Sequence, residues 1–539
     1  MKRWGAIPGN AIPFGRLIYL QVSEGRRSPA IADLSSTRGT SMKAKMSPAP
    51  EANAEKKPKR PTKKSAAATQ SRRSTKGLRE IHRHAAGIDV GAEEHYVAVA
   101  PRSVPEGQSA VRSFSAFTGG LDALVEWLKQ CGVTTAAMES TGVYWIPLFQ
   151  KLAEAGIECV LANAAHVRNV PGRKSDVRDC QWLQELHSYG LVSGSFRPDD
   201  DICKVRSLQR HRANIVSSAS AEIQHMQKAL QQMNLHLHHV VSDINGKTGL
   251  RILDAILAGE RDPKVLVQLR DPRITKSTVS EMEEGLKGDY RTEHLFVLQQ
   301  SLETYRFHFA QLERCDRQIE IILAELAAKA QAACASKELS SNDGPEQPPP
   351  GQALRKQKRS PKPVRHAPPV SFRAYWQAIC GVDLTAVIGL NILSVSILIS
   401  EIGADMSRWR NAKAFCSWLG LCPGNKISGG KVLSSRSPRV VNRAATILRI
   451  AASTLHRSDC CIGHFYRRKK AHLGPAKATT ATARKLACIV YHMLKHKHEY
   501  REPDPVAYQA KVHKGRLASL KKQASMLGFN LVATASPTA

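Results

Sequence analysis

The chain has 539 residues, room for two or three domains with buried cores, and its 79 Lys and Arg exceed 46 Asp and Glu to give a formal net charge of +33. That balance points to a polyanionic partner, most simply nucleic acid and less simply an acidic membrane surface, and it excludes any inference about sequence specificity. Twelve scattered cysteines with no C-x-x-C pair exclude a disulfide scaffold and read as reduced thiols of a cytosolic protein.

Residues 1–80 are expected to be a disordered basic tail. Lys56 to Lys76 combines cations with Pro, Ser and Ala and offers almost nothing to bury. It is a solvated tail or a non-specific nucleic-acid arm, and Met42 or Met46 is an alternative start. No secretory signal is recognisable.

Order is expected from HAAGIDVGAEEHYVAVA onward, in a first domain over 81–200. Ile88 and Val90, then Tyr96, Val97 and Val99, suit two strands joined by a polar turn at Gly91–Glu94. Val111–Phe117 reads as a third strand and GGLDALVEWLKQCG as a helix. TTAAMES is a short buried strand, Tyr144 opens a helix closed by Gly156, and IECVLAN is another strand. PGRKSDVRDCQWLQEL then supplies a helix from about Ser175. The order β-β-β-α-β-α-β-α makes an α/β domain whose three leading strands form a meander.

That order places four acids. Asp89 lies on the first strand and Glu139 at the C-terminal end of the fourth, where open α/β sheets collect ligands. Asp176 and Asp179, three apart at a helix start, share one face. Singly, each has an ordinary role as a turn or helix-start acid. If the first and fourth strands are neighbours, all four converge at one sheet edge. Four acids in one spot repel unless cations neutralise them, and such an oxygen-rich site favours Mg²⁺ or Mn²⁺ acting on phosphates.

A helical middle region is expected over 201–335. Two long periodic stretches, the second from His294 to Ala333, suggest an antiparallel hairpin or coiled coil serving as spacer or dimerisation device. His236, His238 and His239 read as surface residues rather than metal ligands. A Pro-rich basic linker follows over 336–370.

The last domain is expected over 371–500. Leu384 to Ile399, the most apolar run, falls short of the ~20 apolar residues of a membrane span and reads as a buried helix or helix pair. Between two helical parts, Cys422 to Pro438 reads as a flexible basic loop. Ser428 beside Gly429 and Gly430 brings a hydroxyl to a phosphate, or the loop merely contacts phosphate. Arg439, Arg443 and Arg449, then YRRKKAH from Tyr466, extend the basic surface. Cys488, His492 and His496 share a helix face at a spacing that suits zinc but lack a fourth ligand, so a half-buried face is the preferred reading. Residues 501–539 are expected to be a tail.

Together GIDV at Asp89, MESTGVYW at Glu139, KSDVRDCQWL at Asp176 and Asp179, and SEIGADMSRW followed by WLGLCPGNKISGGKVLSS resemble the transposases of the insertion sequence 110 family. The likeness covers about Gly87 to Lys497 without the Pro-rich linker. It implies an RNase H-like (RuvC-like) DEDD domain, a coiled-coil middle and a mainly α-helical C-terminal transposase domain. It further implies a Mg²⁺ site at Asp89, Glu139, Asp176 and Asp179, and a Ser-Gly nucleophile, here Ser428, that links covalently to DNA. Also implied are a homodimer or homotetramer on paired DNA duplexes, a structured guide RNA encoded by the element, and a bacterial cytoplasmic, nucleoid-associated location without a membrane. The long basic tail and the Pro-rich insertion depart from the pattern. A metal-dependent, structure-specific endonuclease like a Holliday-junction resolvase, attacking with water, is the competing reading. A non-catalytic nucleic-acid-binding protein is the third.

Overall fold

The computed structural model describes residues 79–140, 142–162, 175–275, 277–338, 368–438 and 442–532. The basic tail expected over 1–80 and the linker expected over 336–370 fall almost wholly outside these residues, as does Arg439. The described chain divides after Arg197 into two compact units.

The first unit holds a five-stranded sheet in the order β3-β2-β1-β4-β5. Its strands are β1 (Ala85–Val90), β2 (Glu94–Val99), β3 (Val111–Ser115), β4 (Thr135–Glu139) and β5 (Glu158–Ala162). β1, β2 and β3 form the expected antiparallel meander, while β4 pairs parallel to both β1 and β5. Helices α1 (Thr118–Gln130), α2 (Trp145–Glu154) and α3 (Asp176–Ser188) complete the expected β-β-β-α-β-α-β-α order.

Strand alternation sorts the two faces of this sheet. Ala86, Ile88, Val90, Ala136 and Met138 pack with Leu124 and Leu128 of α1 and Leu148 and Leu152 of α2. The opposite face is built of small residues, where Ala137 and Ala162 meet Leu183 of α3. On this side Thr135 Oγ1 lies 2.9 Å from Nε2 of the buried His187. Burial, then the neighbouring His82, pushes His187 down to about 4 from an ordinary 6.5. The unfolded chain therefore binds this proton at a higher pH than the folded one. The contribution of His187 rises from about pH 4 to 6.5 and is worth up to ~3 kcal/mol once complete. Acidification from pH 7 to 5 should accordingly lower the amide protection factors (exchange corrected for its intrinsic pH dependence) in peptides covering 85–99, and His187→Gln should flatten that dependence.

The second unit is mostly helical. α4 (Asp200–Gln232) and α9 (Thr292–Glu338) lie antiparallel, as the expected hairpin. Lys329 reaches Asp201 near one end, and Arg212 reaches Asp316 further along. Between them come α5 (Leu237–Val240), α6 (Lys247–Leu257), α7 (Pro263–Gln268) and α8 (Val279–Gly285), which share a core with the near ends of α4 and α9 through Leu230, Ile252, Ile256, Leu298 and Tyr305.

Within the hairpin, Arg212 donates to both carboxylate oxygens of Asp316 at 2.6 and 3.1 Å, with both residues buried. Removing one partner strands a buried charge, which costs far more than the pair contributes. Asp316→Ala should destabilise the hairpin by about 3–5 kcal/mol in denaturant unfolding, and an apolar replacement of both residues should recover most of that loss.

The remainder comprises α10 (Ser371–Cys380), α11 (Ile392–Ile402), α12 (Ala412–Trp418), β6 (Lys426–Ser428), β7 (Lys431–Ser434), α13 (Arg443–Thr454), α14 (Cys461–His496) and α15 (Pro505–Met526). The apolar run at 384–399 becomes a short turn and α11, which Asn391 caps by accepting from the Ser394 N–H. Among the described residues no helix is long and apolar enough to cross a membrane.

Two sequence expectations are corrected here. The flexible loop at 422–438 contains the β6–β7 hairpin, because Gly429 and Gly430 take positive φ between Ile427 and Val432, the geometry of a tight two-residue turn. The tail at 501–539 contains α15, started by Asp504, whose carboxylate accepts from the Val506 and Ala507 N–H groups ahead of Pro505 at the first turn.

Candidate active site

The acids meet because of a chain of local choices. β1 and β4 are parallel neighbours with Ile88 opposite Met138, so the next register step sets Asp89 beside Glu139. Both side chains alternate onto the face that α3 covers. α3 approaches that face at Gly87. A Cβ there would collide with the Gln184 nitrogen and the Cys180 carbonyl, and would sit 2.7 Å from the Gln184 Cα. Only glycine allows this backbone-to-backbone seating. The Gln184 amide also donates to the Ala85 carbonyl at 3.4 Å. Asp176 and Asp179 occupy the first turn of the seated helix.

Electrostatics registers the convergence. Asp89 is pushed up to about 6 by burial first, then by the charges of Asp176, Asp179 and Glu139, while the Val90 N–H pulls the other way. Cys180, one turn into α3, is pushed up to about 12, mainly by burial and then by Asp89. Asp89 therefore feels the charges of the other three acids predicted from sequence, near the C-terminal end of β4, although no three of the four bring carboxylate oxygens within 4.8 Å of one another. Carboxylate oxygens are the donor type that a hard divalent cation such as Mg²⁺ or Mn²⁺ takes, and these four residues are the ones that would have to close on it.

Ser428 lies in the second unit, at the end of β6, where it pairs with Lys431 across the Gly429–Gly430 turn. The hairpin is exposed throughout except at Ser434, and it carries Lys426 and Lys431 beside the hydroxyl-bearing residue. Its apolar side chains are also outward, with Leu433 71% exposed. A presented hydroxyl among cations can approach a phosphate, but it has no neutral-pH nucleophilicity without activation.

The basic surface is uneven. Arg449 turns inward, donating to the Gly420 carbonyl at 3.4 Å, and burial lowers its pKa. Arg443 begins α13. Arg468 and Lys485 both lie against the rings of Phe465 and Tyr508. Cys488 faces the Cys416 sulfur at 3.6 Å rather than forming a cysteine–histidine metal group, and His492 stacks on His496. One contact escaped the sequence altogether. Arg210 of α4 forks onto Glu401 of α11 at 2.9 and 2.8 Å, tying the hairpin to the segment around SEIGADMSRW.

A mixed five-stranded sheet with helices on both faces and acids at the C-terminal ends of β1 and β4 fits a nuclease-like α/β domain, here joined to a mainly helical unit. The chain is similar to the IS110 transposases over two segments: residues 86–235 match the family model of the IS110 DEDD transposase domain, and residues 383–467 match that of the transposase IS116/IS110/IS902 family. The first match contains all four acids and the second contains Ser428. No curated protein matches the sequence.

Proposed function

We propose that the protein is a DNA recombinase that moves an insertion sequence, with Ser428 as nucleophile and Asp89, Glu139, Asp176 and Asp179 as a Mg²⁺ or Mn²⁺ site in a RuvC-like domain. The observation that carries this reading is the seating of α3 on Gly87, which brings Asp176 and Asp179 near enough to Asp89 for their charges to act on it. A divalent cation held by those carboxylates supplies polarisation of the scissile phosphate and support for charge on the attacking or leaving oxygen.

The chain's own residues account for the rest. The Ser428 oxygen bonds to phosphorus as its proton departs, and the sugar oxygen leaves and takes up a proton. The phosphoserine link retains the phosphodiester energy, so a sugar hydroxyl from another strand reverses the step without ATP. Lys426 and Lys431 hold the backbone near the hydroxyl through phosphate contacts. Because the acids and Ser428 belong to separate units, both must reach one phosphodiester, within one chain or between copies in a homodimer or homotetramer. Under this reading the substrates are the double-stranded element junction and its target, chosen by a structured guide RNA that the element encodes.

The test is to incubate the full chain with Mg²⁺, the element's RNA and junction DNA, and to map any protein–DNA adduct by mass spectrometry. A phosphodiester-linked peptide containing Ser428 is expected. Cleavage without an adduct would instead indicate water as the nucleophile, the behaviour of a structure-specific endonuclease.

A further inference from the structure

The turn after α4 gathers three imidazoles that the transposition chemistry does not use. His236 precedes α5, and His238 and His239 lie within it, so that one ring nitrogen of each falls within 4.8 Å of the others. Two of these residues are half-buried and the third is exposed, against the surface placement expected from sequence. The ring centroids lie 4.1 to 6.1 Å apart.

A second observation gives the cluster a direction. His236 Nε2 meets Asn234 Oδ1 at 3.0 Å. An amide oxygen only accepts, so Nε2 carries a proton, and in the neutral ring Nδ1 keeps its lone pair. That Nδ1 is buried and has no hydrogen-bond partner among the described residues. A buried lone pair left without a donor is costly, and a cation relieves it. The surrounding backbone fixes the ring: Asn234 sits at φ 55°, and the His236 N–H donates to the Gly285 carbonyl at 2.8 Å. An imidazole with one nitrogen held by a carbonyl and the other buried and unpartnered, within a cluster of imidazoles, is the arrangement of a metal ligand with its supporting shell.

We propose that His236, through Nδ1, with one ring nitrogen each from His238 and His239, forms a site for a single divalent d-block cation, Zn²⁺ foremost. Neutral imidazoles favour Zn²⁺, Co²⁺, Ni²⁺ or Cu²⁺ over Mg²⁺, which makes this site chemically distinct from the carboxylate cluster. Three protein ligands leave a fourth position for water. The ion would pin the turn where α4 gives way to the helices between it and α9.

The test uses the full chain, stripped with a chelator and held in millimolar Mg²⁺ so that the carboxylates are filled. Zn²⁺ titration should show one tightly held ion per chain, with a rise in Tm. Substituted Co²⁺ should show visible bands of four-coordinate nitrogen and oxygen ligation without a thiolate charge-transfer band. Asn234→Gly keeps a backbone that accepts φ 55° and removes only the carbonyl, so Zn²⁺ affinity should fall about 10–100-fold. The exposed His239→Ala should fold normally and bind at least as weakly. Absence of Zn²⁺ binding, a thiolate band, or unchanged affinity in His239→Ala and His236→Gln would overturn the proposal.

Discussion

Ser428→Ala is expected to abolish both strand cleavage and the covalent adduct while leaving DNA affinity and its salt dependence unchanged. The hydroxyl lies on an exposed hairpin and carries no charge, so its loss removes no phosphate neutralisation. Removing a nucleophile whose partners act as a unit typically costs several orders of magnitude, and ~10³-fold is a floor for this one. Asp176→Asn should produce a loss of the same order by a different route. It keeps the shape of a side chain in the first turn of α3 but removes one of the charges pressing on Asp89. Duplex binding should persist, since a chain with net charge +33 loses only one negative charge. The pair of variants separates the three readings. Both inactive supports serine attack assisted by the acids. An active Ser428→Ala beside an inactive Asp176→Asn indicates hydrolysis, and two fully active variants indicate a protein that only binds nucleic acid.

The readable parts of this fold are those governed by period. Alternation in GIDV and TTAAMES separates the two sheet faces, and helical spacing marks α4 and α9. The sheet-edge convergence follows once β1 and β4 are neighbours, a pairing that strand order suggests but does not dictate. What stayed hidden depends on contacts far apart in the chain. Arg212 and Asp316 are separated by 104 positions, and Arg210 and Glu401 by 191, with no local pattern to link either pair. Two misses had local signals that composition masked. The Gly429–Gly430 pair flanked by Ile427 and Val432 is a hairpin signature inside a loop rich in Ser and cations, and Asp504–Pro505 is a helix start in what otherwise looks like a tail. The histidines defeat spacing arguments for another reason. Residues two apart do not share a helix face, and a short α5 behind a left-handed Asn234 is what folds them together.

Gly87→Ala is the change that tests how closely fold and chemistry are joined. The added methyl meets backbone, with Gln184 and Cys180 of α3 both inside contact distance, so no rotamer change relieves it. To restore ordinary contact, α3 must withdraw from β1 by about 1 Å. Overpacking of this kind typically costs about 1–3 kcal/mol, which a folded domain survives. The same displacement carries Asp176 and Asp179 away from Asp89 and Glu139, and a 1 Å misplacement of reacting groups is worth ~10²-fold in rate. Gly87→Ala should therefore remain folded by circular dichroism and bind DNA normally, yet cleave about a hundredfold more slowly. Its Mn²⁺ titration should be shifted to higher concentration, since the ligands no longer close on one point. If activity instead falls only in proportion to folded protein, the seating of α3 is structural alone. A normal fold with slow, metal-hungry cleavage would show that the glycine sets the spacing of the four acids.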